Sequence, residues 1–280
     1  MTVAAVVLAA VVAGAGTAAD PPPAAPPPAA AAPALDRFPK AALAYIVAID
    51  GRVVWAGSPD EPRPPASLTK IMTALVLLER DWKPDSPVTV SRAAAAETGS
   101  RAGLQAGETL GAGDLLTAML VTSANDACVA LAEHAAGSVP AFVAAMNARA
   151  AALGLAATRF SNPCGHDAPA QRSSARDLLA LAEAALARPE FARAVALRST
   201  EIRTTGGRRI ALKSGNHLLG NSPGVIGVKT GWTPGAGKCL VVLAERDRMR
   251  VLIVLLDATD RWWTAAALVE EAFDAVRAPR

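Results

Sequence analysis

Ser67-Leu68-Thr69-Lys70, followed by Ile71-Met72-Thr73-Ala74-Leu75-Val76-Leu77-Leu78-Glu79-Arg80, is the stretch on which the reading of this chain turns. The apolar run reads as a helix, with Pro64 and Pro65 just outside it, where a missing N–H costs little. Residues three apart on a helix share a face, so Ser67 sits at the helix start with Lys70 one turn beneath it. A serine hydroxyl is a weak nucleophile at neutral pH and needs a neighbouring base. A desolvated lysine can shed its proton and act as that base. Taken alone, a serine at a helix start is more often an N-cap.

Two further segments reverse that balance. Ser123-Ala124-Asn125 and Lys229-Thr230-Gly231 follow in order along the chain. The trio matches the motif set of penicillin-binding proteins and class A β-lactamases. The text around each motif narrows the match. Pro65-Ala66-Ser67-Leu68-Thr69-Lys70-Ile71-Met72-Thr73-Ala74-Leu75 resembles the nucleophile segment of the D-alanyl-D-alanine carboxypeptidases, the low-molecular-mass penicillin-binding proteins. Ser123-Ala124-Asn125-Asp126-Ala127-Cys128 resembles their second motif. Phe160 to Asp167 and Ser174 to Leu178 resemble the stretch after it, and Pro223 to Thr233 with Ala236-Gly237 the third motif. The resemblance runs from about Ala41 to about Arg261.

The resemblance implies an α/β fold: an antiparallel sheet flanked by helices, with an inserted helical lobe and the active site between sheet and lobe. It implies that Ser67 attacks a peptidoglycan stem peptide ending in D-Ala-D-Ala, and that β-lactams acylate the same serine. Lys70 takes the Ser67 proton, Ser123 relays a proton to the leaving amine, and Asn125 positions Lys70 and the substrate amide. Lys229 raises the local positive potential, Thr230 donates to the substrate carboxylate, and Gly231 permits close approach. The backbone N–H groups of Ser67 and Trp232 are the expected oxyanion donors. Two positions depart from the pattern. Ile226 stands where the family usually has Asp, and Gly215 where some relatives carry a carboxylate-holding Arg. Arg261 is the remaining candidate for that carboxylate.

The residues read on their own give a compatible architecture. Ala42 to Ile49 and Arg52 to Ala56 form a hairpin around Asp50-Gly51. Cys239 to Ala244 and Met249 to Leu256 form a second, around Arg246-Asp247. Thr264 to Val276 reads as helical, as do Gly113 to Leu120, Ala124 to Ala136, Val139 to Leu153 and Ala175 to Ala187. Strands at both ends with helices between place the chain ends in one sheet. No second domain is read after the last helix.

Of the 280 residues, 52% are hydrophobic and only 4% aromatic, so Ala, Val and Leu must build the core. The net charge of +3 is spread along the chain, which excludes the clustered basic footprint of a nucleic-acid binder. Residues 1–19 read as a secretory signal peptide or a retained N-terminal membrane anchor: 2–19 are apolar or small, and no basic residue precedes Arg37. Residues 20–37 form a Pro/Ala-rich linker, and 38–280 the catalytic domain of a secreted or otherwise extracytoplasmic protein. Cys128, Cys164 and Cys239 show no metal spacing, and no cofactor or metal is expected. Cys128 reads as a small buried residue. Cys164 and Cys239 lie near motifs, where an oxidising compartment allows one disulfide that the sequence does not favour.

Three other patterns fail on physical grounds. Gly220-Asn221-Ser222-Pro223-Gly224 matches the nucleophile elbow, but that elbow needs an N–H after Ser, and Pro223 has none. His166-Asp167 has no credible elbow to serve, and Gly235 to Lys238 lacks the hydroxyl residue of a phosphate loop. A class A β-lactamase deacylates with a Glu acting through water; Arg159 to Asp167 contains none, and Glu183 falls within a helix. The same fold also admits a D,D-endopeptidase. A non-catalytic wall-binding or sensor domain would be marked by a broken motif, and all three motifs are intact.

Overall fold

The computed structural model describes residues 35–277. Residues 1–19 and the linker up to residue 34 lie outside the described residues. The first strands are β1 (Ala44–Ile49) and β2 (Arg52–Gly57), turned at Asp50-Gly51, where both residues have positive φ, 46° and 78°. A 3-10 turn (Ala66–Thr69) then runs into α1 (Lys70–Leu78). The lobe follows: β3 (Pro87–Thr89), α2 (Arg92–Ala95), β4 (Thr109–Gly111), α3 (Ala112–Val121), α4 (Asn125–Ala136), α5 (Val139–Ala152), α6 (Ala175–Leu186) and α7 (Pro189–Val195). After the hairpin β5 (Ser199–Arg203) and β6 (Arg209–Lys213), the chain returns to the main sheet. It does so through β7 (Val225–Thr233), β8 (Gly237–Arg246) and β9 (Met249–Leu256), and α8 (Arg261–Arg277) follows. The main sheet is antiparallel, in the order β2-β1-β9-β8-β7. The expectation that the two chain ends share a sheet around a helical insertion is met by the β1–β9 pair, Ala44 opposite Leu256 to Ile49 opposite Val251.

Period-two alternation divides the core. Ala44, Ile46 and Ala48 of β1 join the cluster under the lobe, with Leu243 of β8 and Val254 of β9. Tyr45, Val47 and Ile49 join the cluster beneath α8, with Val242, Ile253, Leu268 and Phe273. β1 is buried along its whole length, so its sequence reads as an apolar run rather than an alternation. Leu35 to Arg37, at the end of the predicted linker, pack on this unit: Leu35 bridges to Trp55, Tyr45 donates to Asp36, and the Arg37 guanidinium stacks on Trp55 at 5.2 Å.

One buried carboxylate ties the lobe together near the second motif. Asp126, fully buried in the first turn of α4, accepts from the N–H groups of Ala102, Gly103, Leu104 and Ala127 at 2.9–3.0 Å. It fixes the loop whose Ser100 carbonyl accepts from the Asn125 N–H at 2.7 Å. Asp126→Ala leaves those donors unsatisfied and is expected to lower the unfolding free energy by about 3 kcal/mol, as charged, buried hydrogen-bond sets do. Urea denaturation measures this; a loss below about 0.5 kcal/mol, the range of ordinary surface substitutions, contradicts the assignment.

Candidate active site

The predicted residues come together from the 3-10 turn and α1, the start of α4, β7 and the start of α8. Ser67 lies in the 3-10 turn and Lys70 is the first residue of α1; neither turn nor helix has a side-chain cap, so Ser67 is not an N-cap. Lys70 is completely buried. Its Nζ donates to Asn125 Oδ1 at 2.7 Å and to the Cys164 carbonyl at 2.6 Å, and Ser67 Oγ lies at 3.2 Å. A neutral lysine amine has two N–H bonds and one lone pair. With both donors taken by those two oxygens, the lone pair is left for the Ser67 hydroxyl. Burial, and after it the charge of Lys229, hold the Lys70 pKa well below the ordinary 10.5, against smaller opposing fields from Glu97 and Asp126.

Asn125 opens α4 but does not cap it; Ala124 holds the cap position. The Asn125 Nδ2 donates to the Thr98 carbonyl at 2.6 Å, which fixes Oδ1 as the atom facing Lys70. Ser123 sits at φ 62°, a left-handed conformation that typically costs a non-glycine residue about 1–3 kcal/mol. Its Oγ accepts from Lys229 Nζ at 2.9 Å. Lys229 is only 2% exposed and so is no surface charge. Burial and the nearby Arg261 push its pKa down to about 7.

Two glycines let backbone close on the Ser67 turn. A Cβ on Gly231 would lie 3.0 Å from Ser67 N, and one on Gly165, at φ +91°, only 2.0 Å from the Ala66 carbonyl oxygen. β7 is one of the two edge strands of the main sheet, so among the described residues one row of its backbone groups has no strand partner. Thr230 is half-buried on it, and Trp232 is 60% exposed. Arg261 Nη1 donates to the carbonyls of Gly231 and Cys239, which places the guanidinium beside the third motif. Gly215 faces Thr230: its Cβ would meet Thr230 Oγ1 at 3.8 Å. Ile226 is partly exposed.

The sequence reading missed how much the loop from Phe160 to Asp167 contributes. Its Cys164 carbonyl holds Lys70, and its Pro163 carbonyl accepts from Thr73 Oγ1 at 2.6 Å. Asn162 Oδ1 collects the N–H groups of Cys164, Gly165 and His166. Asp167 accepts from Thr233 Oγ1 and the Gly235 N–H, clamping the loop to the end of β7. His166 pairs with Glu97 at 2.9 Å rather than with a serine. Backbone carbonyls carry no side-chain signature, so only the text of the segment could have flagged it. The cysteine reading is corrected here: Cys128 and Cys164 form a disulfide, while Cys239 is free and buried. Cys128 lies one turn after Asn125 on α4, on the side that meets the loop, whereas Cys239 faces the Pro64 and Ala236 carbonyls.

Among the described residues, no three His, Cys, Asp or Glu side chains converge to hold a metal. A groove of about 690 Å³ on the lobe, lined by Trp82, Asp85, Asp114 and Arg193 among others, includes no motif residue.

The buried ammonium of Lys229 has a pH signature. Below about pH 7 the folded and unfolded chains both carry its proton, so the burial penalty is fully present. Between about 7 and 10.5 the unfolded chain binds the proton more strongly, so stability rises with pH. The unfolding free energy of the unliganded protein is expected to climb from pH 7 to about pH 9, within that window, and Lys229→Met to flatten part of the climb. Urea titrations at a series of pH values measure it; identical slopes in both proteins contradict the assignment.

Residues 33–260 match the family described as D-alanyl-D-alanine carboxypeptidase. The chain is 35% identical over 225 residues to D-alanyl-D-alanine carboxypeptidase DacF of Bacillus subtilis, an alignment covering 79% of this chain and 58% of that one. It is 38% identical over 243 residues to D-alanyl-D-alanine carboxypeptidase DacC of Escherichia coli, covering 82% and 59%. The chain thus spans a little under three fifths of the length of these curated relatives. The crystal structure of the Streptomyces K15 DD-transpeptidase superposes with a TM-score of 0.80 at 29% identity, covering 88% of this chain and all of that one. With the family's sequence pattern across four fifths of its length and this fold around the three motifs, the chain belongs to the D-alanyl-D-alanine carboxypeptidase family.

Proposed function

We propose that this protein is a serine-type D-alanyl-D-alanine carboxypeptidase that removes the terminal D-Ala from peptidoglycan stem peptides, and that β-lactams acylate it at the same serine. The observation that carries the reading is the buried Lys70 amine, with two fixed acceptors and its remaining position at Ser67. Lys70 takes the proton as Ser67 Oγ attacks the penultimate carbonyl. The oxyanion meets the Ser67 and Trp232 N–H groups, in a role where one donor is typically worth about 10²–10³ in rate. On collapse, the proton that Lys70 received passes through Ser123 to the leaving amine, which frees Lys70 again as a base, while Lys229 holds the Ser123 hydroxyl at 2.9 Å. Water then releases the shortened peptide.

The free edge of β7 suits an extended peptide backbone added as a further strand. Thr230, Lys229 and Arg261 are the donors for the terminal carboxylate, and Gly231 keeps the approach open. Deacylation of a β-lactam adduct is slow in this account. Within Arg159 to Asp167 the one carboxylate is Asp167, which is occupied by Thr233 and Gly235. Residues 38–280 form the catalytic domain, after a signal or anchor (1–19) and a linker (20–37). A disulfide and an uncharged apolar N-terminus both favour an extracytoplasmic site of action.

Mass spectrometry of the protein incubated with penicillin is expected to find one covalent adduct on Ser67, lasting minutes or longer, and none on Ser67→Ala. Lys70→Ala is expected to lose about 10²–10⁴ in acylation rate, the usual worth of a general base. Released D-Ala is expected from a peptide ending in D-Ala-D-Ala and far less from its C-terminal amide. Labelling of Ser67→Ala at the wild-type rate refutes the nucleophile. Equal cleavage of acid and amide replaces the carboxypeptidase reading with an endopeptidase.

A further inference from the structure

We infer that the Cys128–Cys164 disulfide is a positioning device for the proposed base, fixing the gap between the two oxygens that hold the Lys70 amine. The inference rests on the reading of Lys70 given above. The two acceptors belong to elements far apart in the chain: Asn125 opens α4, and Cys164 lies in the loop beyond α5, 36 residues after Cys128. Cys128 is one turn along α4 from Asn125, on the same face. Cys164 supplies the second acceptor from its own backbone, at 2.6 Å. The covalent link therefore joins the helix carrying one acceptor to the very residue carrying the other, with the two Cα atoms 6.0 Å apart.

The remaining ties on each side are hydrogen bonds. Asn162 organises the loop, and Thr73 reaches the Pro163 carbonyl; on the helix side, Asp126 and Ser100 fix the α4 start. Those within the loop do not set its distance from α4. Both cysteines are buried, at 0% and 1% exposure, so the bond lies within the wall of the site. If the wall relaxes, the amine loses its fixed acceptors and gains water. Its lone pair is then no longer held towards Ser67, and the desolvation that depresses its proton affinity is relieved.

The test compares three forms of the full chain. The first is oxidised with glutathione disulfide, which takes two electrons and two protons from the thiol pair and becomes two glutathiones. The second is the same chain made and kept reduced with a phosphine, its thiols counted by alkylation and mass. The third is the double variant Cys128→Ala, Cys164→Ala. Acylation by a fluorescent penicillin is followed to saturation below the melting transition of every form, separating the limiting rate from the half-saturating concentration.

The limiting rate is expected to fall about ten- to a hundredfold without the bond, as small misplacements of reacting groups do, with the half-saturating concentration unchanged. A merely structural bond would lower the melting temperature and leave the limiting rate alone. An unchanged limiting rate in either folded form lacking the bond, or an effect confined to the half-saturating concentration, overturns the inference while leaving the carboxypeptidase reading in place. An oxidised protein that penicillin does not label overturns both.

Discussion

A single amine, buried without an anionic partner in contact, is the constraint around which this molecule is arranged. Lys70 is fully buried, and its hydrogen bonds run to neutral oxygens of Asn125 and Cys164 and to the Ser67 hydroxyl. An ammonium in such surroundings is disfavoured, and the second buried lysine, Lys229, disfavours it further. A neutral amine satisfies the same surroundings: two donors for the two acceptors, and a lone pair for the Ser67 hydroxyl. The sheet brings Lys229 and Gly231 against the Ser67 turn, the lobe brings Ser123 and Asn125, and the loop from Phe160 to Asp167 closes the remaining side. Gly165 is obligatory there because a single methyl would collide with the Ala66 carbonyl.

The same logic gives the site an electrostatic bias. Lys229 is buried, its pKa brought down to about 7, with Arg261 adding positive charge nearby. Its fixed partners are the Ser123 hydroxyl and the Thr230 carbonyl, both uncharged. A buried cation short of a counter-charge favours any anion that reaches it. This accounts for the proposed preference for a terminal carboxylate without requiring an Arg at Gly215. Arg261 itself is committed in part to the Gly231 and Cys239 carbonyls, so it shapes the potential at β7 whether or not it touches substrate.

Much of this was legible in the chain, for physical reasons. The hairpins of β1–β2 and β8–β9 carry turn dipeptides between apolar runs, and α3 to α6 carry helical runs, so their positions follow from local rules to within a few residues. Ser67, Lys70, Ser123, Asn125 and Lys229 announce themselves because side-chain chemistry at fixed spacing leaves a written pattern. The β5–β6 hairpin and α7 are short, and α7 and β6 begin beside charged or proline residues that read as loop. The Cys164 carbonyl leaves no pattern at all, since any residue could supply it. The Cys128–Cys164 pair escaped because the partner of a buried cysteine is decided by where α5 returns the chain, a tertiary fact. Leu35 to Arg37 escaped because a proline-rich context hides three residues that pack on Trp55 and Tyr45.

The proposed mechanism turns on the Lys70 amine giving up its proton far more readily than an ordinary lysine. NMR of protein labelled with ¹⁵N at the lysine side-chain nitrogens, with Lys70→Arg used to assign the signal, reads its titration directly. A Lys70 midpoint well below the ordinary value of 10.5 is expected, set by its burial and then by the charge of Lys229. A Lys70 signal that stays that of an ammonium up to the ordinary lysine range would contradict it, and the buried amine would then be a structural cation rather than the base.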